Sequence, residues 1–332
     1  MSANITPIKK LLILRFSSIG DIVLTSPIIR CIKQELKCEV HFLVKQQFQS
    51  ILKANPYIDR VLAFEKEPTE ILSLLKEEHY DFIVDLHKNI RTRRLRAILK
   101  RPSAHFPKKN IEKWLLVNFK VNKLPEEHVV DRYFESVKKL GVTNDGGGLD
   151  YFIPEKDKVS LESFGLEANG FVALGVGAAH HTKALPQHKL EALLEKLKYP
   201  VALLGGPKEA PIGEELAKKG GVNFCGKVNI NQTASIIKQA AVVISPDTGI
   251  MHIAAAFRKS AISIWGNTVP SFGMYPYYGH LAKAHYQAEV EGLSCRPCSK
   301  IGHGKCPKGH FKCMEEQDMD GIVKQVEAYW RA

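Results

Sequence analysis

Two runs of alternating strand and helix patterns, parted by a glycine-rich break, constrain this fold more than any other feature of the sequence. Short apolar, β-branched runs at 9–16, 39–44, 60–64 and 82–86 read as strands. Amphipathic stretches at 21–36, 46–54 and 69–78, and a basic one at 90–99, read as the helices that follow them. Helices near 112–119 and 129–140 complete the first half. The stretch 141–154, containing Gly146, Gly147 and Gly148, carries the weakest structural signal and reads as a linker. The alternation then restarts, with strands expected at 171–176, 201–204, 222–225, 242–245 and 261–265. Helices are expected between them at 187–198, 212–219, 233–239 and 248–257. After Gly266 the chain reads as irregular until a last helix near 319–330. Strand-helix alternation with short links is the pattern of a parallel sheet wound on both faces. At 332 residues there is room for two such α/β domains of roughly 160 residues each. The expected division is 1–154, 155–318 and a terminal helical segment 319–332.

In such sheets ligands gather where strands end and helices begin, because helix N-termini present unbonded N–H groups and a positive dipole end. The run 241–256 has this form: it is apolar up to Ser245-Pro246 and resumes as a helix. Asp247, Thr248, Gly249 and His252 crowd the helix start, with Thr248 and His252 on one face. The alternative is an ordinary Asp or Thr cap over a core histidine. After the first strand, Arg15-Phe-Ser-Ser-Ile-Gly-Asp21 places a carboxylate at another such edge. Asp21 could take a proton from an incoming hydroxyl, or could simply stabilise a helix dipole. This turn lacks the Gly-x-Gly-x-x-Gly pattern, which argues against a dinucleotide-dependent dehydrogenase. The small residues of 175–186 permit close approach of phosphate, with Lys183 as a point charge, or form a plain flexible loop. In Leu204-Gly-Gly-Pro-Lys-Glu209, Glu209 could accept from a ribose hydroxyl or merely begin an exposed helix.

A net charge of +12 favours an acidic partner: nucleic acid, an anionic membrane surface or a phosphorylated substrate. Its densest source is 88–101, with Lys88, Arg91, Arg93, Arg94, Arg96, Lys100 and Arg101 and no acid. Lys88 and Arg91, nearest the strand end, could meet acidic groups of a substrate, while the later ones suit a solvated helix face. No aromatic residues interleave with these charges, so no nucleic-acid partner is expected. The short apolar run near the N-terminus predicts neither signal peptide nor membrane span, and the odd count of seven cysteines suits a reducing cytoplasm. Cys295, Cys298, Cys306 and Cys313, with His303 and His310 nearby, could hold a structural zinc; packing thiols or a disulfide are the alternatives.

Taken together, Phe16-Ser-Ser-Ile-Gly-Asp21, Asp85-Leu-His-Lys-Asn-Ile-Arg91, the 175–186 loop, 204–209 and above all Ser245-Pro-Asp-Thr-Gly-Ile-Met-His252 resemble glycosyltransferase family 9, the ADP-heptose:lipopolysaccharide heptosyltransferases. The similarity spans almost the whole chain and includes the Cys-x-x-Cys tail. The resemblance implies a GT-B fold of two facing Rossmann-like domains, acceptor in the first and donor in the second, with the final helix crossing back to the first. It implies Asp21 as general base and Asp247, Thr248, Gly249 and His252 around the donor pyrophosphate and sugar. Lys183 would serve a donor phosphate and Glu209 the nucleoside, with Ser18, Gly20, Lys88 and Arg91 on the acceptor side. Leu185 departs from the family pattern, where Trp often precedes the proline, which leaves the donor sugar open. The implied activity is metal-independent inverting transfer of heptose from ADP-heptose to a lipopolysaccharide core or related acidic glycolipid. It would take place in the cytoplasm or on the anionic inner leaflet. No cofactor is required for this chemistry. Another nucleotide sugar, or binding without turnover, are the remaining alternatives.

Overall fold

The computed structural model describes residues 7–281 and 285–331. Residues 1–6, to which the expectation of no signal peptide applies, and Ala332 of the terminal segment lie outside the described residues. The chain divides into two compact units, Met1–Lys108 with Val129–Phe152, and Lys109–His128 with Ile153–Ala332.

The first unit holds strands β1 (Lys10–Leu14), β2 (Glu39–Lys45), β3 (Arg60–Phe64), β4 (Phe82–Asp85) and β5 (Ser103–His105). They form a parallel sheet in the order β3-β2-β1-β4-β5. Leu11, Leu12, Ile13 and Leu14 are all fully buried, as a parallel strand covered on both faces requires. The winding runs from β1 outward to β3, then returns to the other side of β1 at β4. The carboxyl ends of β1 and β4 therefore flank the crevice where the strand order reverses.

The helices of this unit are shorter than the sequence periodicity suggests. The expected 21–36 helix is two: α1 (Ile19–Val23) and α2 (Ser26–Leu36). Pro27 in the first turn of α2 accounts for the break, since it has no N–H to continue a ladder. The 46–54 stretch is a 3₁₀ segment at Gln46–Ile51, and 69–78 divides into a 3₁₀ turn, Pro68–Ile71, and α3 (Leu72–Glu77). The basic helix α4 (Ile90–Leu99) stands where expected, capped by the Asn89 side chain on the Thr92 N–H at 2.9 Å. α5 (Asn110–Phe119) belongs to the second unit, and α6 (Val129–Phe134) returns to the first.

The expected linker is not loose. Residues 141–152 belong to the first unit and are tied down by Arg30 of α2, itself buried. Its guanidinium holds both Asp145 oxygens at 2.7 Å, the Gly148 carbonyl at 3.1 Å and the Asp150 carboxylate. Hydrogen bonding from Arg30 depresses the Asp145 carboxyl to about 2. The division between the units falls after Phe152, two residues before the expected boundary.

The second unit contains β6 (Val172–Gly175), β7 (Val201–Leu204), β8 (Gly221–Asn223), β9 (Val242–Pro246), β10 (Ser260–Trp265) and β11 (His285–Glu289). The sheet is parallel, in the order β11-β10-β9-β6-β7-β8, so its reversal lies between β6 and β9. Strand β11 falls in the stretch read as irregular; it is a polar edge strand with one buried side chain, Ala288. Helices α7 (Gln187–Lys196), α8 (Ala210–Ala217), α9 (Ile230–Gln239) and α10 (Gly249–Ala256) complete the winding, followed by α11 (Lys312–Glu315) and α12 (Met319–Trp330).

The terminal helix α12 belongs to the second unit. Ile322 and Val326 are fully buried in that unit's core. Trp330 stacks on Tyr199 with ring centroids 3.8 Å apart, and Asp320 pairs with Lys196 at 2.6 Å. Its apolar stripe is satisfied by α7 and the β9–β10 face.

Candidate active site

In the second unit the chain ends of β6, β7, β9 and β10 carry the residues expected to bind a donor. Gly175 is pressed against the β9–α10 turn: a Cβ there would sit 3.3 Å from both Ser245 Oγ and Ile250 Cδ1. Thr248 occupies the N-cap of α10 in an extended conformation, with no side-chain cap hydrogen bond. Its hydroxyl lies 3.1 Å from Ser245 Oγ. Gly249 begins the helix and is partly exposed. The helix start thus points its first N–H groups and positive dipole end at the β6–β9 crevice.

Lys183 is held at this entrance. Its Nζ lies 2.6 Å from Asp247 Oδ2 and donates to the Asp247 carbonyl at 3.2 Å. Asp247 Oδ2 also accepts from Thr268 Oγ1 at 2.9 Å. Asp247 thus holds the Lys183 ammonium through both its carboxylate and its carbonyl. The buried Thr268 aims Asp247 in turn, and its carbonyl accepts from Arg296 Nη2 at 2.9 Å. On the other side, the Thr182 N–H donates to the His303 carbonyl at 3.2 Å, and the Thr182 hydroxyl accepts from the His303 N–H at 2.8 Å and donates to Asn267 Oδ1 at 3.0 Å. The Cys-x-x-Cys loop therefore buttresses the segment that carries Lys183.

Glu209 lies at the neighbouring end of β7, where its Oε2 accepts from the Gly206 N–H at 2.9 Å. Its side chain rests on Gly177, where an added Cβ would fall 2.2 Å from Glu209 Cγ. Gly177 is thus a glycine because Glu209 occupies the space of a side chain. His252, by contrast, is 2% exposed and sits one turn inside α10. Leu185, the departure from the family pattern, is buried in the core.

The edge of the first unit is built around Arg15. This buried guanidinium leaves β1 and donates to the Leu86 carbonyl at 2.5 Å and the Ser17 carbonyl at 2.8 Å. It pairs with Asp21 Oδ1 at 2.5 Å. The other Asp21 oxygen accepts from the Ser18 hydroxyl at 2.8 Å. Both oxygens are therefore oriented, while the side chain keeps about a quarter of its surface open, 23%. Ser18 is exposed and Gly20 buried at the turn of α1. His87 follows β4 and stacks near Phe16, centroids 5.1 Å apart. Burial, reinforced by the Arg15 charge, pushes its imidazole down to about 3, so it is neutral at physiological pH.

Lys88 has left-handed backbone geometry, φ 49°. The buried Asp85 fixes this turn by accepting from the N–H groups of His87 and Lys88 at 3.0 and 2.7 Å. Lys108 closes it from the carbonyl side, donating to His87 and Lys88 at 3.0 and 3.3 Å. Arg91 turns toward the 66–67 loop, donating to the Lys66 carbonyl at 3.2 Å and lying 3.8 Å from Glu67. Arg96 approaches Asp85 at 3.3 Å, so part of the basic run is internal bookkeeping for a buried acid. Arg93, Arg94 and Lys100 are exposed.

Cys295, Cys298, Cys306 and Cys313, the expected zinc ligands, lie in one neighbourhood of the second unit. Among the described residues, no three of these thiols and histidines bring their ligand atoms within 4.8 Å of one another. Cys313 packs into the second core, and burial pushes its thiol up to about 11. Cys295 Sγ lies 3.9 Å from His310 Nε2, and Cys298 and Cys306 are half-buried. The one grouping with ligand spacing among the described residues is Glu39, His41 and Glu78, at the opposite edge of the first sheet. There Lys10 already neutralises the acids, at 3.3 Å from Glu39 and 2.6 Å from Glu78.

Arg15, Thr268, Arg296 and His87 carried no individual expectation from the sequence. Arg15 has a signal in hindsight, a charge placed directly after a buried strand. Thr268 and Arg296 had none, since they lie in the stretch that lacks periodicity.

Comparison with known proteins agrees with this geometry. The family model for glycosyltransferase family 9 (heptosyltransferase) matches residues 70–302. Lipopolysaccharide heptosyltransferase 1 of Campylobacter coli is 25% identical over 350 residues, covering 96% of this chain and 98% of the relative. Among solved structures, the glycosyl transferase family 9 protein of Veillonella parvula superposes with a TM-score of 0.75 at 20% identity, covering 97% of each chain. The E. coli heptosyltransferase WaaC with ADP gives 0.68 at 18% identity, covering 96% of this chain and 99% of that one. The architecture is the GT-B fold. With a family model spanning well over half of its length and two parallel sheets that each carry polar residues at the strand reversal, this chain belongs to glycosyltransferase family 9, the heptosyltransferases.

Proposed function

We propose that this glycosyltransferase moves a heptose from ADP-heptose to a lipopolysaccharide core or a related acidic glycolipid, with inversion and without a catalytic metal. The observation that carries the reading is the Lys183 ammonium, held by Asp247 at the N-terminus of α10. A fixed cation beside a helix dipole stabilises the negative charge that develops on a departing diphosphate. Asp21 accepts the proton of the acceptor hydroxyl as its oxygen bonds to the anomeric carbon. The anomeric carbon–oxygen bond to phosphate breaks from the opposite face, and ADP leaves with the electron pair. Glu209 accepts from the ribose, and Thr248 and Gly249 face the pyrophosphate. Ser18, Gly20, Lys88 and Arg91 serve the acceptor side.

The names of relatives support the donor and acceptor classes: one solved relative carries ADP, and the Campylobacter relative is a lipopolysaccharide enzyme. The net charge of +12 suits work in the cytoplasm against an anionic inner leaflet. No helix among the described residues is long and apolar enough to cross a membrane. Mass analysis after incubation with ADP-heptose and a truncated lipopolysaccharide tests the reading directly.

A further inference from the structure

Helix α5 is turned the wrong way round for a surface helix in water. Ile111, Trp114, Leu115 and Phe119 fall on one stripe by the 3.6-residue period. Yet Ile111 is 73% exposed, Trp114 51% and Phe119 60%. Trp114 and Phe119 meet edge to face, centroids 5.2 Å apart, which makes the patch continuous, and Val121 just beyond the helix is also exposed. The opposite face, which packs on the second unit, uses lysines. Lys113 Nζ lies 5.6 Å from the Phe272 ring centroid, and Lys120 donates to the carbonyls of Cys295 and Pro297 at 3.2 and 2.7 Å. Only Leu116 is buried. These contacts of Lys113 and of Lys120, which stays exposed at the helix end, fix the helix so that its apolar stripe faces outward.

We propose that α5 docks on an anionic lipid bilayer, inserting Ile111, Trp114 and Phe119 at the interface. Charge complementarity selects this occupant. Residues 108–123 carry five lysines, at 108, 109, 113, 120 and 123, against one acid, Glu112; Lys108 and Lys113 are engaged within the fold, while Lys120 and Lys123 are exposed and Lys109 partly so. A cationic segment displaying tryptophan and phenylalanine suits the headgroup boundary, where indole and phenyl rings partition and lysines meet anionic lipid. The inference deepens the proposed function and rests on its reading of a lipid-linked acceptor: a transferase anchored by α5 would meet its acceptor in two dimensions.

The test uses full-length protein and acceptor-free vesicles of phosphatidylethanolamine with phosphatidylglycerol, and of phosphatidylcholine alone. Wild type should co-sediment with the anionic vesicles, and the variant Ile111→Ser/Trp114→Ser/Phe119→Ser should bind them about tenfold or more weakly. These side chains are exposed, so the variant's thermal midpoint should match wild type. A second readout needs no triple variant: brominated anionic lipid should quench wild-type fluorescence and leave Trp114→Phe little changed, because Trp265 is buried and Trp330 is stacked on Tyr199. Equal vesicle binding by wild type and variant, or no binding by wild type, overturns the proposal. So does a lipid-free dimer that the variant dissociates, which would assign the face to a second copy. With neither donor nor acceptor present, failure here leaves the transferase reading standing.

Discussion

Adding one methyl group at Gly177 should weaken nucleotide binding without touching the nucleotide. Gly177 does not have a left-handed backbone, so alanine is sterically allowed there as far as the main chain is concerned. The conflict is with Glu209, whose Cγ would lie 2.2 Å and whose Cδ and Oε1 would each lie 2.5 Å from the new Cβ. Glu209 must therefore rotate away and give up the 2.9 Å bond from the Gly206 N–H. An off-rotamer side chain costs about 0.5–1.5 kcal/mol and a net hydrogen bond about 1 kcal/mol, so Gly177→Ala should lose about 1.5–2.5 kcal/mol of stability. If Glu209 accepts from the ribose, a displaced carboxylate should also raise the Kd for ADP about tenfold, equivalent to about 1.4 kcal/mol. Calorimetric titration with ADP on Gly177→Ala, Glu209→Ala and the double variant measures both parts. The effect of Gly177→Ala should vanish in the Glu209→Ala background, because the methyl group then has nothing to displace. Wild-type ADP affinity in Gly177→Ala, or the same loss with Glu209 already removed, would refute the reasoning.

Two further perturbations probe the supports of the site and of the fold. Thr268→Val keeps the shape of a buried side chain but removes the hydroxyl on Asp247; it should cost about 1–2 kcal/mol of stability and weaken ADP binding about fivefold. Unchanged ADP affinity in that variant would mean that Asp247 needs no second anchor to aim Lys183. Asp145, at 3.8 when unpaired and about 2 when bound to Arg30, contributes stability that is full above its unfolded value. That contribution disappears as pH falls through its folded one. Because Asp145 is partly open to solvent, the stability gap between wild type and Arg30→Gln should be about 1–2 kcal/mol near neutrality and narrow below about pH 4. Thermal unfolding across that range checks this, and a gap constant with pH would count against the Arg30 anchor.

What could be read in advance, and what could not, follows from where the free energy is local. Strands such as Leu11–Leu14 are buried on both faces, so their apolar runs survive in the sequence as plain signals, and the parallel winding follows from their spacing. The helix start at Thr248 and the basic helix Ile90–Leu99 were legible because a strand end followed by a helical run is a local pattern. The Arg30 strap was not, because Arg30 and Asp145 meet across 115 residues of chain and only the fold makes them neighbours. Strand β11 borrows its stability from β10 and displays one buried side chain, too little for a pattern. Thr268 and Arg296 act through Asp247, a role with no periodicity and no motif. The cysteine spacing suggested a shared ligand, and the burial of Cys313 in the second core is a packing role that no spacing announces.

The central claim is that Asp21 and the Lys183 helix edge serve one heptosyl transfer. It is tested most directly by weighing truncated lipopolysaccharide after incubation with ADP-heptose and either wild type or Asp21→Asn. The account predicts a gain of one heptose with wild type, released ADP in equal amount, and a rate lower by about 10²-fold or more in Asp21→Asn with ADP affinity retained. No mass gain with wild type, or an Asp21→Asn variant that turns over at the wild-type rate, would contradict it.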